Sequence, residues 1–136
     1  MIIFPRTPTK RSPLQTKMRA RKITVKTLET LAERIGLKHI SGDLSKEICG
    51  CYAGDLLSWV MSHAQYGDVW ITIMSNINVI AVASLTECAC VVMAEGVTPD
   101  SDVLKVAEEK GITVFSDERS AFELCCLVGQ YLKENE

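Results

Sequence analysis

Residues 66–96 read YGDVWITIMSNINVIAVASLTECACVVMAEG, and this stretch decides the fold. Residues 69–73 (VWITI) are a short apolar run of β-branched and aromatic residues, the pattern of a buried strand. Ser75 and Asn76 bring helix-capping chemistry ahead of the almost wholly apolar segment 77–85. Residues 90–94 are a second buried run, closed by Glu95-Gly96. Strand, helix and strand within about 30 residues make a βαβ unit, whose crossover is right-handed by rule.

Working outward, the same alternation continues. On the amino-terminal side, Thr24 is expected to cap a helix with Val25, Leu28, Ala32 and Ile35 on its apolar face, ended by Gly36. Strands are expected over 37–41 and 47–53. Gly54-Asp55 then opens a helix facing inward through Leu56, Leu57, Val60, Met61 and Ala64, with Trp59 off that face. On the carboxyl side, Thr98-Pro99 should start a helix carrying Val103, Leu104 and Ala107, stopped by Gly111. A strand over 112–115 follows, and Ser120-x-x-Glu123 is a capping box for the last helix. The pattern α-β-β-α-β-α-β-α-β-α predicts a single layered α/β domain, with a mostly parallel sheet of four to five strands flanked by helices.

Charge divides the chain in two. Residues 1–22 carry seven basic groups, no acid and three of the four prolines, which predicts a disordered leader ahead of a domain over 23–136. The remainder holds eight basic against seventeen acidic residues, so the folded body is near −9 and unsuited to nucleic acid. No apolar run is long enough to span a bilayer and no secretory signal is visible, so a cytoplasmic protein without a membrane partner is expected.

Six cysteines fall in close pairs, 49/51, 88/90 and 125/126. Within a strand, C-x-C puts both thiols on one face, where cysteine packs as a small hydrophobe; adjacent helical cysteines diverge by about 100°. Core packing is therefore expected, with no metal and no cofactor. The phosphate loop, the dinucleotide fingerprint and the nucleophile elbow are all absent from the sequence. Neither His39 nor His63 is placed as a base.

Ligands of open α/β sheets gather beyond the carboxyl ends of the strands, near a switch in strand order. That rule nominates Asp55, Ser75, Asn76, Asn78, Glu95, Gly96, Ser116 and Asp117, in polar loops that precede helix N-termini. Asparagine both donates and accepts, which suits a base edge or an amide. Taken singly, Ser75, Asn76 and Ser116 are also ordinary helix caps, and Asp55 and Asp117 ordinary dipole partners.

Residues 23–132 resemble a DRTGG domain, through GDVWITI, NINVIAVASL, MAEGVTPD, EEKGITVFS and SAFEL. That domain is similar in fold to the amino-terminal domain of HPr kinase/phosphorylase and, more distantly, to the uridine-binding domain of the UDP-muramoyl peptide ligases. The resemblance implies a regulatory or ligand-sensing module rather than a catalyst. The sequence departs from the naming motif: Ser75-Asn76-Ile77-Asn78 stands where the family has Asp-Arg, and Ala94-Glu95-Gly96 where it has Thr-Gly-Gly. The phosphate loop of HPr kinase lies in that enzyme's other domain and is absent here, so kinase activity is not expected.

The resulting expectation is a non-catalytic module binding a nucleotide-like molecule or an anion. The alternatives are a transferase-type enzyme using Asp55 and Asp117, or a structural subunit with no ligand. Segment 77–85 is apolar nearly all round, so the side away from the sheet must be covered by the last helix or by a two-fold mate. A homodimer is expected.

Overall fold

The computed structural model describes residues 25–134. The basic segment 1–22 and the cap expected at Thr24 lie outside the described residues. Within them the elements run α1 (Leu28–Ile35), β1 (Lys38–Ser41), β2 (Gly50–Ala53), α2 (Leu57–His63), β3 (Asp68–Thr72), α3 (Ile77–Thr86), β4 (Cys90–Met93), α4 (Ser101–Lys110), β5 (Val114–Ser116) and α5 (Ala121–Lys133). The order of helices and strands is the expected one.

The strands form one sheet, β1-β5-β4-β3-β2. Neighbours from β2 to β5 are parallel, and only β1 runs antiparallel, against β5, with an irregularity between His39 and Ser41. From β2 to β5 each crossover moves one place in the same direction. Right-handed connections of that kind put α2, α3 and α4 on one face of the sheet. Helices α1 and α5 cover the other.

Alternation along β3 feeds both layers. Val69 and Ile71 join Leu28 and Leu31 of α1 and Leu124 and Val128 of α5. Trp70 faces the opposite way, among Val60, Val79, Ile80, Val103 and Ala107 of α2 to α4. All five residues of β3 are buried, and each large apolar side chain taken out of water this way contributes about 1.5–3 kcal/mol. The Trp70 indole N–H donates to the Gly54 carbonyl at 2.9 Å, so the polar edge of the ring is satisfied inside the core.

Several local expectations need correction. The first helix is capped by Thr27, whose hydroxyl accepts from the Thr30 amide while the Thr30 hydroxyl takes the Thr27 amide. Val25 is therefore outside the helix and 41% exposed. Glu47 is not part of β2 but makes an isolated bridge to Thr27. Helix α2 starts at Leu57 with no side-chain cap, leaving Leu56 and Met61 exposed rather than inward. Helix α4 is capped by Asp100, which accepts from the Val103 amide at 3.0 Å, so Thr98-Pro99 belongs to the loop before it. The last helix starts as read, with Ser120 accepting from the Glu123 amide at 3.1 Å.

The cysteines do not share one environment. Cys88 and Cys90 are buried, Cys51 and Cys125 half-buried, and Cys49 and Cys126 exposed. The two C-x-C pairs straddle the starts of β2 and β4, so Cys49 and Cys88 lie outside the strands that were to align them. Among the described residues no three His, Cys, Asp or Glu side chains converge as metal ligands would.

Candidate ligand site at the carboxyl ends of the strands

Because β2 to β5 are parallel, the loops after all four open on one end of the sheet. Their order has no switch, so the crevice expected at a reversal does not form among them. The notable junction is at the other side, where antiparallel β1 brings its first residue, Lys38, opposite Ser116 at the end of β5.

The loops after β4 and β5 are laced together by their own backbones. The Glu95 and Gly96 amides donate to the Arg119 and Asp117 carbonyls at 3.0 and 2.9 Å, and the Asp117 amide donates to Met93 at 2.9 Å. Glu95 and Gly96 both have left-handed backbones, at φ 62° and 77°, which turns the chain between these bonds. Ser116 is buried, and its hydroxyl donates to the Val97 carbonyl at 2.7 Å.

Asp117 is the centre of a tight charged turn. Arg119 grips its carboxylate with Nε and Nη2, both at 2.8 Å, and the Arg119 amide adds a bond of 2.9 Å. Nη2 also donates to the Ile35 carbonyl at the end of α1, at 2.7 Å. The guanidinium hydrogen bond holds the Asp117 carboxyl below the usual carboxylate range, and the same bond pushes Arg119 up. Asp117 is thus a fixed ion-pair partner at neutral pH rather than a free base.

Above this turn lies a groove of about 470 Å³, lined by Ile35, Gly36, Lys38, Gly96, Thr98 and Ser116 to Arg119. That volume falls in the range of small-molecule sites. Lys38 and Glu118 are exposed at its rim. With Asp117 and Arg119 cancelling each other, these two remain as unlike charges available to a ligand.

The remaining candidates sit elsewhere on the same end of the sheet. Asp55 accepts from the Thr72 hydroxyl at 2.8 Å and the Ile73 amide at 2.9 Å, pinning the loop after β2 to the end of β3. Asn76 caps α3 by accepting from the Asn78 amide at 2.9 Å, and the Asn78 side chain is exposed. The eight expected residues therefore split: Gly96, Ser116 and Asp117 line the groove, with Glu95 bonded through its amide to Arg119 beside it, while Asp55, Ser75, Asn76 and Asn78 lie in the loops and helix start that follow β2 and β3. Asp55 and Asp117 follow strands three places apart, about 14 Å at normal strand spacing, so they form no carboxylate pair.

Sequence reading missed Lys38, Gly36 and Arg119. For Arg119 a signal existed: Asp117-Glu118-Arg119 puts an acceptor and a forked donor two residues apart at a turn. Lys38 had none, since only the placement of β1 beside β5 brings it in.

A model of the DRTGG domain matches residues 48–130, from the entry to β2 into α5. The chain belongs to the DRTGG domain family. Residues 35–38, which form one wall of the groove, lie outside the matched segment. One solved structure similar to this DRTGG protein is that of the CBS and DRTGG domains of the regulatory region of Clostridium perfringens pyrophosphatase, complexed with its activator diadenosine tetraphosphate. The likeness has a TM-score of 0.59 at 14% identity over 82% of this chain, which establishes the shared fold. The DRTGG chain spans 51% of that structure's length. Among curated proteins no sequence match was found.

Proposed function

We propose that this DRTGG protein is a non-catalytic regulatory module that senses a small polar ligand, nucleotide-like or anionic, at the carboxyl ends of its strands. The groove between the α1–β1 turn and the β5 loop carries the reading, because it is of ligand size and has a cationic and an acidic residue at its rim. Its floor is already hydrogen-bonded, which suits a site that holds its shape without ligand. In this reading an anionic group meets Lys38 near Gly96 and Asp117. The polar remainder lies along Glu95 towards Ser75, Asn76 and Asn78, with Asp55 at the far rim. The regulatory context of the similar pyrophosphatase region, and its nucleotide activator, support the same class of ligand.

The transferase reading needs two carboxylates working on one substrate. Asp55 and Asp117 are both engaged in structural bonds and stand several strands apart. That arrangement favours sensing over catalysis.

A homodimer accompanies the proposal. Helix α5 lies on the opposite face of the sheet, so it does not cover the outer side of α3. Along that side Ile77, Ala81 and Leu85 form an exposed apolar row spaced by one turn, with a small residue at its middle. Among the described residues no helix is long and apolar enough to cross a membrane, and a cytoplasmic location is part of the proposal.

The test is a thermal-shift and calorimetric screen with ATP, AMP, uridine nucleotides, diadenosine tetraphosphate and inorganic phosphate. At least one should raise the melting temperature saturably, and Lys38→Ala should weaken it several-fold. If no compound in the set shifts the wild type, or Lys38→Ala binds unchanged, the groove is not the site.

A further inference from the structure

The other end of the sheet carries a second groove, of about 430 Å³, at the amino ends of β3, β4 and β5. Its size lies within the range of small-molecule sites. Cys88, Ala89 and Ile112, all buried, form an apolar floor. Tyr66, Glu87 and Lys110 stand exposed around it. Backbone bonds fix the frame: the Gly67 amide donates to the Glu87 carbonyl at 3.0 Å, and the Ala89 amide to the Asp68 carbonyl at 2.8 Å. Lys46, which also lines the groove, donates through Nζ to the Gly111 carbonyl at 2.5 Å. The groove is therefore formed before any ligand arrives.

At Glu87 local chemistry and the fold disagree. Helices α1 and α4 both end on a glycine in the left-handed region, Gly36 and Gly111. Helix α3 makes the same stop with Glu87, at φ 56° and ψ 41°, where any side chain is strained. Glu87 is also an acid at the negative end of the helix dipole, and the last turn of α3 holds no basic residue to offset it. The end of α4 is built the opposite way, with Lys110 in its last turn and the Lys46 ammonium on its carbonyl. One groove thus meets an uncompensated negative pole and a positive one. Among the described residues, neither Glu87 nor Lys110 has an ion-pair partner, so the two charges do not cancel across it.

We propose that this groove binds an α-amino acid with an apolar side chain. The ligand's ammonium group sits at Glu87 and the carbonyl end of α3, which accept its N–H donors. Its carboxylate pairs with Lys110. Its side chain lies on Cys88, Ala89 and Ile112, with the Tyr66 ring along one wall. A zwitterion answers both poles at once, whereas phosphate would meet Glu87 and the α3 carbonyls with the wrong sign. The ligand also accounts for the strained residue, since a glycine would suit the turn but lack the carboxylate. The site lies at the opposite end of the sheet from the Lys38 groove and stands or falls independently of it.

The experiment follows the backbone amides of the isotope-labelled, full-length chain by NMR. L-leucine or L-phenylalanine is added to about 10 mM, enough to detect millimolar affinity. At least one should move the amides of Tyr66, Gly67, Glu87, Cys88 and Lys110 saturably and leave those of Gly96 and Ser116 in place. Isopentylamine and isocaproate for leucine, or phenethylamine and hydrocinnamate for phenylalanine, each keep one charge and should bind at least tenfold more weakly. Glu87→Gly should also bind at least tenfold more weakly while its melting temperature rises, because the left-handed turn is relaxed. Lys110→Gln should weaken binding several-fold in a folded chain, the position being exposed. No saturable change with either amino acid overturns the proposal. So does an amine or acid that binds as tightly as its parent, or movement centred on Gly96 and Ser116, and none of these results depends on a variant.

Discussion

The guanidinium of Arg119 holds both carboxylate oxygens of Asp117 at 2.8 Å and donates to the Ile35 carbonyl at 2.7 Å, so one side chain joins the end of β5 to the end of α1. The pair supports the proposed groove and also completes the C-terminus of α1, where a carbonyl would otherwise lack a partner. Its two roles can be separated by pH.

Asp117 titrates below the ordinary carboxylate value, through its hydrogen bond to Arg119. A group with a depressed folded pKa contributes stability above its unfolded value, and that contribution is lost as pH falls through the folded one. Urea midpoints of the wild type should therefore fall as the pH drops below about 4, the ordinary carboxylate value. Asp117→Asn should be less stable at pH 7 and show a shallower acid slope. Arg119→Ala should cost about 1–2 kcal/mol at pH 7, a value discounted because the guanidinium is partly exposed. An acid slope in Asp117→Asn equal to wild type would mean the pair contributes nothing.

Asn76 and Asn78 are close in sequence but have separate roles. Asn76 accepts from the Asn78 amide and caps α3, whereas the Asn78 side chain is exposed in the first turn. Asn76→Ala should lose about 1 kcal/mol in denaturant unfolding. Asn78→Ala should stay within about 0.5 kcal/mol of wild type and act only on ligand binding. Equal losses for the two would remove the cap assignment.

Gly42 has a φ of 103°, and an added Cβ would come within 2.5 Å of the Thr113 Cα and 2.7 Å of its hydroxyl. That hydroxyl is itself donated to the Asp43 carbonyl at 2.7 Å, so it is not free to swing aside. Gly42→Ala should cost about 2–4 kcal/mol, combining backbone strain and overpacking. Gly36, at φ 74° with open space around it, is the control. Gly36→Ala should cost only about 1 kcal/mol. A ranking in the other order would show the β1–β5 edge to be softer than its close contacts imply.

The exposed row Ile77, Ala81 and Leu85 gives a direct test of the proposed dimer. Light scattering of the wild type at micromolar concentration should return twice the chain mass. Ala81→Glu should return a monomer with an unchanged far-ultraviolet spectrum, because the position is exposed on the helix. A monomeric wild type ends the idea.

Much of the architecture was legible from local pattern. The runs 69–73 and 90–94 are continuous and apolar because strands buried on both faces have no solvent side to alternate with. Asn76 and Ser120 were readable as caps because the cap interaction spans only two or three residues. Boundaries were less legible where two capping residues competed within one loop, as with Thr24 against Thr27 and Thr98 against Asp100. Burial decided those cases, by fixing where the first inward turn begins.

By itself, then, the sequence determined a βαβ-based layered domain, its strand and helix order, and the polar loops that end its strands, since periodicity and capping are short-range properties of the chain. Tertiary structure alone decided that β1 lies antiparallel beside β5, which brings Lys38 to Ser116 and Ile35 to Arg119. It alone separated Asp55 from Asp117. Strand order and helix docking depend on which faces the whole core buries together, and no local run of residues encodes that choice.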